Sequence, residues 1–290
     1  MKLDRQRLEL IFISIIPLLI GAGLAVIILT SGGLSDILAQ NSQLFSFADI
    51  AIQAVISTGL GTIVVVTLFF TIQKQGPKAR RTIIAFIVSP VLTVSFYIIG
   101  QSLLLIIIKG ATQSIWPSIL SIATLGILLI SFAFIMMDSV PSYLRNFFVA
   151  FYGSVFGTFL GIIFLTASMF VLVISVIAED YFLTRFSPAA ESAYLIDTPG
   201  ADPFDYTRIQ SKTVAIGVGD YIAFSLISAH SLLFFPFHVW AMSILLAIIG
   251  IIINMTVIAR ENEILPGIPL PALLALFPWV VHIISLQFLI

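Results

Sequence analysis

The chain has 290 residues, of which 60% are hydrophobic and 9% charged, and its mean hydropathy is +1.16. This composition excludes a water-soluble domain, since long uncharged apolar runs recur along the chain and a bilayer-spanning helix needs about 20 such residues. The net charge of −1 provides no basic surface for nucleic acid. The absence of cysteine excludes disulfides, thiol nucleophiles and cysteine metal sites.

The apolar runs predict nine membrane-spanning helices. In chain order they cover residues 8–30, 48–73, 82–108, 115–137, 143–163, 165–186, 213–235, 238–259 and 267–290. The first run is too long for the apolar segment of a signal peptide, and no small-residue cleavage site follows it, so we expect it to remain as a span. We therefore expect an all-α polytopic membrane protein.

These spans form one predicted membrane domain, residues 1–290, with a single sizeable loop. That loop, residues 187–212, is rich in Pro, Ser, Asp and Ala and separates the sixth span from the seventh. Lysine and arginine favour the cytoplasmic side of a membrane. With the N-terminus in the cytoplasm, every basic residue except Lys109 lies on that side. This orientation places the loop in the cytoplasm and the C-terminus outside.

Most acidic residues lie in loops or at span ends, where water can solvate them, and we expect no special role for those. They are Asp4, Glu9, Asp36, Asp49, Asp138, Asp197, Asp202, Asp205, Glu261 and Glu263. Asp220 differs, because it lies about two helical turns into the seventh span, within the apolar run VAIGVGDYIAF at 214–224. A carboxylate inside a membrane usually faces a partner or a water-filled cavity.

The expected partner of Asp220 is Asp180, which lies near the cytoplasmic end of the sixth span at a similar depth. Two carboxyls close together in a low dielectric share a proton and titrate as a pair. One can take a proton from water while the other donates to a carbonyl oxygen, as in aspartic proteases. We expect Gly217 and Gly219 to let the sixth span, or a substrate backbone, approach closely.

Two short motifs resemble a known family. The segment GVGD at 217–220 resembles the GxGD motif of presenilins and signal peptide peptidases, and LPALLALFP at 270–278 is similar to their PAL motif. The PAL-like residues Pro271, Ala272 and Leu273 open the ninth span, as in that family. Nine spans and a large loop after the sixth are also similar, over essentially the whole chain. The chain thus resembles these intramembrane aspartyl proteases, and its small size suggests a prokaryotic, archaeal-like member.

The resemblance implies a presenilin-like fold in which residues 1–163 form a scaffold of five helices and residues 164–290 carry catalysis. It implies an endopeptidase that cleaves transmembrane segments, such as signal-peptide remnants or single-span proteins, without metal or cofactor. The small size and modest outer loops suggest a minimal member that needs no accessory subunits. Asp220 would be the second catalytic aspartate and Asp180 the first. The family places tyrosine before the first aspartate, whereas here Tyr181 follows Asp180, which leaves Glu179 as a rival.

The segment LPGIPLPALLALFP suggests how a substrate is held. Its prolines predict that residues 265–271 are extended, because proline fixes its own backbone and restricts the residue before it. The resemblance implies that Pro271, Ala272 and Leu273 position the substrate beside the aspartates. A peptide bond must be unwound from its helix to be attacked, so we expect strand pairing with an edge at 212–216 or around 265–270.

The same acids are compatible with two other functions, and several further polar and small residues have structural interpretations. An ion- or proton-conducting channel or transporter could use the same acids. A prepilin peptidase of the GxGD type is disfavoured by the nine spans and by Tyr221, where a lysine would be expected. The polar residues Gln101 and Asn254 are expected to form interhelical hydrogen bonds, and the small residues of 151–161 to pack helices. Three dispersed histidines lack metal-ligand spacing: His230, His238 and His282.

Overall fold

A computed structural model describes residues 5–32, 77–108, 115–137, 140–186, 203–210, 215–258 and 266–289, and scattered residues between 48 and 67. Its helices are α1 (Arg5–Thr30), α2 (Pro77–Ile107), α3 (Trp116–Met137), α4 (Ser142–Ile163), α5 (Thr166–Phe186), α6 (Val218–Phe234), α7 (Phe237–Ile253) and α8 (Pro269–Leu289). Helix α7 continues into a π turn, Asn254–Ile258. A 3₁₀ turn, Pro203–Thr207, precedes strands β1 (Arg208–Gln210) and β2 (Ala215–Gly217).

Six of these helices are long and apolar enough to cross a membrane: α1, α2, α3, α4, α7 with its π turn, and α8. The chain is therefore an all-α membrane protein, as the composition predicts. The predicted second span, 48–73, lies mostly outside the described residues, as do 187–202 and 211–212 of the loop. The count of nine spans, the presenilin-like fold and the division near residue 163 stay predictions.

The predicted start of the seventh span at residue 213 is wrong. Helix α6 begins only at Val218, because β2 occupies residues 215–217 and pairs antiparallel with β1. Ile209 lies opposite Ile216 in this pairing, and both side chains are buried. Burial on one face of the hairpin fixes its register. The two glycines that flank Val218 are weak helix formers and make an early start of α6 less favourable.

Helix α6 lies at the centre of the described helices and contacts α1, α4, α5, α7 and α8. Glycines allow its backbone to approach its neighbours. A Cβ added at Gly161 of α4 would lie 2.6 Å from the carbonyl oxygen of Leu226, and one added at Gly21 of α1 would lie 2.6 Å from that of Ser225. The predicted helix packing by small residues of 151–161 is thereby confirmed.

A buried ion cluster attaches the segment before α6 to helix α4. Asp205 is 1% exposed and accepts hydrogen bonds from Nε and Nη2 of Arg208, at 3.1 and 2.6 Å. Its other carboxyl oxygen lies 3.5 Å from Nη1 of the buried Arg145. The hydroxyl of Tyr152 donates to the carbonyl oxygen of Tyr206 at 2.7 Å. The expectation that water solvates Asp205 is wrong, because two arginines and α4 enclose it.

Candidate active site

The two predicted acids lie at helix ends. Asp220 is in the first turn of α6, directly after β2, and not two turns inside a helix as the apolar run predicts. Asp180 lies in the penultimate turn of α5. Both side chains are partly buried. The hairpin held by α4 therefore determines where Asp220 lies, while α5 carries Asp180 towards it.

The carboxyls of Asp180 and Asp220 lie beside two adjacent residues of the segment between α7 and α8. The N–H of Ile268 donates to Oδ2 of Asp180 at 3.0 Å. A Cβ added at Gly267 would lie 2.6 Å from Oδ1 of Asp220 and 3.2 Å from its Oδ2. The two carboxyls are also close enough for their charges to interact. The structure thus brings together the two aspartates that the sequence analysis selected.

Further donors surround the Asp180 carboxyl. The amide of Gly267 faces it alongside that of Ile268, and the Thr184 hydroxyl lies 3.5 Å from Oδ1, at the limit of a hydrogen bond. The rival Glu179, one residue earlier on α5, is partly buried. Adjacent positions on a helix point about 100° apart, and it is Asp180 that receives the Ile268 amide.

Described atoms leave the space around Gly217 and Gly219 open. A Cβ added at Gly219 would meet no described atom within 4 Å, and one at Gly217 would come no closer than 3.9 Å to Oδ2 of Asp220. Gly217 has φ −67° and ψ 150°, a conformation that any residue adopts. No described atom of α5 comes within 4 Å of a Cβ added at Gly219, and the expectation that these glycines let the sixth span approach stays a prediction. Room for a substrate backbone beside Asp220 remains.

The prediction that residues 265–271 are extended is wrong for 269–271. Helix α8 begins at Pro269, so residues 269–271 are helical, which agrees with the preference of proline for a first helical turn. The carbonyl oxygen of Ile268 accepts from the N–H of Ala272 at 2.9 Å and so begins the helix. Residues 266–268 form a bend before it, and residue 265 lies outside the described residues.

The PAL-like residues differ in what they contact. Pro271 packs against α7, where a Cβ added at Gly250 would lie 2.6 Å from the Cα of Pro271. Ala272 is fully buried, whereas Leu273 is 55% exposed. Pro271 and Ala272 therefore fix the start of α8, and Leu273 is the member of the three that is accessible to another molecule.

The predicted strand edges are partly found. Ala215 and Ile216 belong to β2, while residues 212–214 lie outside the described residues. Around 265–270, the described residues 266–270 form a bend and the start of α8. Only the first of the two predicted edges therefore includes a described strand, and it leads directly to Asp220.

Two residues in or beside the 266–268 segment were not selected as site residues from the sequence. Gly267 lies against Asp220, and the signal that could have identified it is a glycine flanked by Pro266 and Ile268-Pro269. Asn254 donates from Nδ2 to the carbonyl oxygen of Pro266 at 3.0 Å. The expected interhelical hydrogen bond of Asn254 is therefore wrong, because Pro266 precedes α8; the bond instead connects the end of α7 to the segment beside the aspartates.

The histidines do not join the aspartates. His230 is buried, with Nδ1 2.7 Å from the carbonyl oxygen of Gly161 and Nε2 3.2 Å from Oγ1 of Thr166. A carbonyl oxygen only accepts, so Nδ1 carries the proton and His230 connects α4, α5 and α6. Within the described ranges, no three residues of the types His, Cys, Asp or Glu group to hold a metal ion.

No family model matches the chain, and no curated protein matches it significantly.

Proposed function

We propose that the chain is an intramembrane aspartyl endopeptidase of the presenilin and signal peptide peptidase type, which cleaves transmembrane segments. One observation carries the proposal: the Asp180 carboxyl accepts the N–H of Ile268, and the Asp220 carboxyl lies beside the adjacent residue, Gly267. Two carboxyls held this way in a low dielectric do not both ionise, so the pair retains one proton. Such a pair activates water and a peptide carbonyl without a metal or cofactor.

Hydrogen bonding distinguishes the roles of the two acids in this proposal. A hydrogen bond from a backbone amide to a carboxyl oxygen favours the ionised form of that carboxyl, by about 1.5–3 kcal/mol. Asp180 receives the Ile268 amide. Asp220, in the first turn of α6, has the Gly217 amide near its carboxyl and gains about 0.3–1 kcal/mol from the helix dipole, but no described N–H donates to it as closely as the Ile268 amide donates to Asp180. Asp180 therefore takes a proton from water, and Asp220 donates one to the carbonyl oxygen.

The chemistry then balances without a covalent enzyme intermediate. The water oxygen attacks the scissile carbonyl carbon, Asp180 accepts the water proton, and Asp220 protonates the carbonyl oxygen to give a tetrahedral diol. Collapse of the diol breaks the C–N bond, with Asp180 returning its proton to the leaving nitrogen and Asp220 recovering one from the diol. The pair ends with one proton, as it began.

The membrane setting and the open space support a transmembrane substrate. Six of the described helices are apolar enough to span a bilayer, so the chain meets other proteins within the membrane. The open space at Gly219 adjoins Asp220, and β2 provides backbone beside it for pairing with an unwound substrate. In the proposed orientation, the N-terminus is cytoplasmic, the C-terminus lies outside, and water reaches the pair from the cytoplasm.

The proposal is tested by cleavage of a transmembrane peptide by the purified chain alone in lipid. Asp220→Asn and Asp180→Asn preserve shape and remove the shared proton chemistry, so each variant should lose at least about 99% of activity, as for essential groups of a catalytic unit. Glu179→Gln is the matched control and should keep its activity. A fully active Asp220→Asn protein would refute the proposal.

Comparing the Glu179→Gln and Asp180→Asn variants also decides which of these two acids is the partner of Asp220. Loss of cleavage in Glu179→Gln, with activity retained in Asp180→Asn, would assign the partner role to Glu179. Ion flux into vesicles that persists in both inactive variants would indicate a conducting function separate from hydrolysis.

A further inference from the structure

We infer that Asn254 is a positioning residue of this site, which orients the amides of residues 267 and 268 towards Asp180. The inference rests on the proposed function. Asn254 does not touch either aspartate; its Nδ2 donates to the carbonyl oxygen of Pro266 at 3.0 Å. Its side chain is buried in the π turn at the end of α7, where an unpaired amide would be costly.

The geometry of one peptide unit transmits the effect of Asn254. The carbonyl of Pro266 and the N–H of Gly267 belong to the same peptide, and no cis peptide occurs in the described residues. In a planar trans peptide the C=O and N–H bonds point in opposite directions. When Asn254 holds the oxygen on one side, the Gly267 N–H is directed to the other side, where the Asp180 carboxyl lies.

Prolines make this orientation matter. Pro266, Pro269 and Pro271 have no N–H, so Gly267 and Ile268 supply the only amide donors between residues 266 and 269. Both of these amides face Asp180. Rotation of the 266–267 peptide would turn the Gly267 N–H away from Asp180 and disturb the adjoining peptide that carries the Ile268 N–H, and the prolines provide no replacement donor.

The backbone of α7 explains why Asn254 reaches this peptide. At Asn254 the helix passes into the π turn, and the Asn254 N–H contacts the carbonyl oxygens of both Gly250 and Ile251. Single π turns often occur at functional sites, because they redirect side chains within a helix. One turn earlier, Gly250 packs closely against the backbone of Pro271. The end of α7 thus fixes the segment at two points, by steric contact at Pro271 and by a hydrogen bond at Pro266.

The experiment compares variants of α7 in the full-length protein. Asn254→Leu keeps the approximate size of the side chain and removes its donor, whereas Asn254→Gln keeps an amide. Ser243→Ala is the matched control, since the Ser243 hydroxyl is buried on the same helix without a partner among the described atoms. We expect kcat to fall about tenfold in Asn254→Leu, the equivalent of one hydrogen bond, with KM within about twofold. Asn254→Gln should recover part of the loss, and Ser243→Ala should match the wild type.

A second measurement does not depend on activity. Hydrogen exchange at the amides of Gly267 and Ile268, without substrate, should be faster in Asn254→Leu than in Ser243→Ala, because their orientation is no longer held. If Asn254→Leu does not fold, Asn254→Asp replaces it, since it keeps the shape and lacks the NH₂ donor. Wild-type kcat together with unchanged exchange in the folded variant would overturn the inference.

The two proposals fail in different ways. Activity retained in Asp220→Asn would refute the proposed protease, whatever Asn254 does. An inactive Asp220→Asn protein combined with a fully active Asn254→Leu protein would keep the protease and overturn the role of Asn254.

Discussion

The hydroxyl of Tyr221 donates a hydrogen bond to the carbonyl oxygen of Ile13 at 3.0 Å. Ile13 is four residues before Pro17, which lies inside α1 and has no N–H to offer that oxygen. Tyr221 therefore supplies from α6 the donor that proline removes from α1. Because Tyr221 directly follows Asp220, this bond anchors the first turn of α6, where the candidate acid lies.

This relationship predicts an outcome for a double-mutant cycle. Tyr221→Phe removes the hydroxyl and leaves the Ile13 oxygen without its donor, which should lower the free energy of unfolding by about 1–3 kcal/mol. Replacing Pro17 with alanine restores an N–H, so the effect of Tyr221→Phe should be much smaller in a Pro17→Ala background. Thermal unfolding in detergent measures both effects.

Tyr143→Phe on α4 is the control for the loss of a hydroxyl, since Tyr143 is exposed, and it should change the unfolding midpoint little. Equal destabilisation by Tyr221→Phe in the two backgrounds would show that Pro17 does not create the need for the tyrosine.

A second prediction concerns Gly267. Gly267→Ala would place a methyl group 2.6 Å from Oδ1 of Asp220, so either the carboxyl or the 266–268 segment must shift. A displacement of about 1 Å in a catalytic group costs about 100-fold in rate, and we expect a loss of that order in cleavage with little change in unfolding temperature. Gly23→Ala is the control, because its Cβ would meet no described atom within 4 Å. Wild-type cleavage by Gly267→Ala would contradict the contact.

A third prediction uses the open space at Gly219. Gly219→Ala creates no clash, so the folded protein should keep its stability within about 0.5 kcal/mol. If a substrate backbone occupies this space, the added methyl group should raise KM for a transmembrane peptide. Steady-state cleavage kinetics and thermal unfolding of the same preparation separate the two effects. Unchanged KM would place the substrate elsewhere.

A fourth prediction concerns the buried ion cluster before β1. Removing one member of a buried ion pair leaves the other charge uncompensated, at a cost of about 3–5 kcal/mol. Asp205→Asn should therefore be strongly destabilising, although Asp205 is distant in sequence from its partner Arg145 on α4. Arg145→Met should cost more than Arg208→Met, because the side chains of Arg145 and Arg208 are 3% and 16% exposed. Denaturant unfolding would test this order. A larger loss of stability in Arg208→Met than in Arg145→Met would contradict the argument that the more deeply buried arginine contributes more.

The sequence predicts those features that depend on neighbouring residues. Long apolar runs predict the membrane helices because every backbone group in a bilayer must be satisfied within its own segment. The isolation of Asp220 in such a run also predicts that it has a partner. The same pattern gives the wrong start for α6, because strand pairing of 215–217 with 208–210 is decided by residues that lie outside the run.

Contacts between distant parts of the chain could not be read from such patterns. The amide of Ile268 reaches Asp180 across 88 residues, and Tyr221 reaches Ile13 across 208. Asp205 resembles any loop acid until Arg145 of α4 is placed beside it. Gly267 has no apolar side chain to signal burial, and its importance follows only from the position of Asp220.

The direct passage from β2 into α6 bears on how a substrate would be selected. Backbone pairing recognises no particular side chain. Strand β2 ends at Gly217, and Asp220 follows three residues later in the first turn of α6. In the proposed enzyme, the bond that is cut would thus be chosen by its distance from the paired stretch. Selectivity would then depend on how easily a transmembrane helix unwinds at that distance, and only weakly on its sequence.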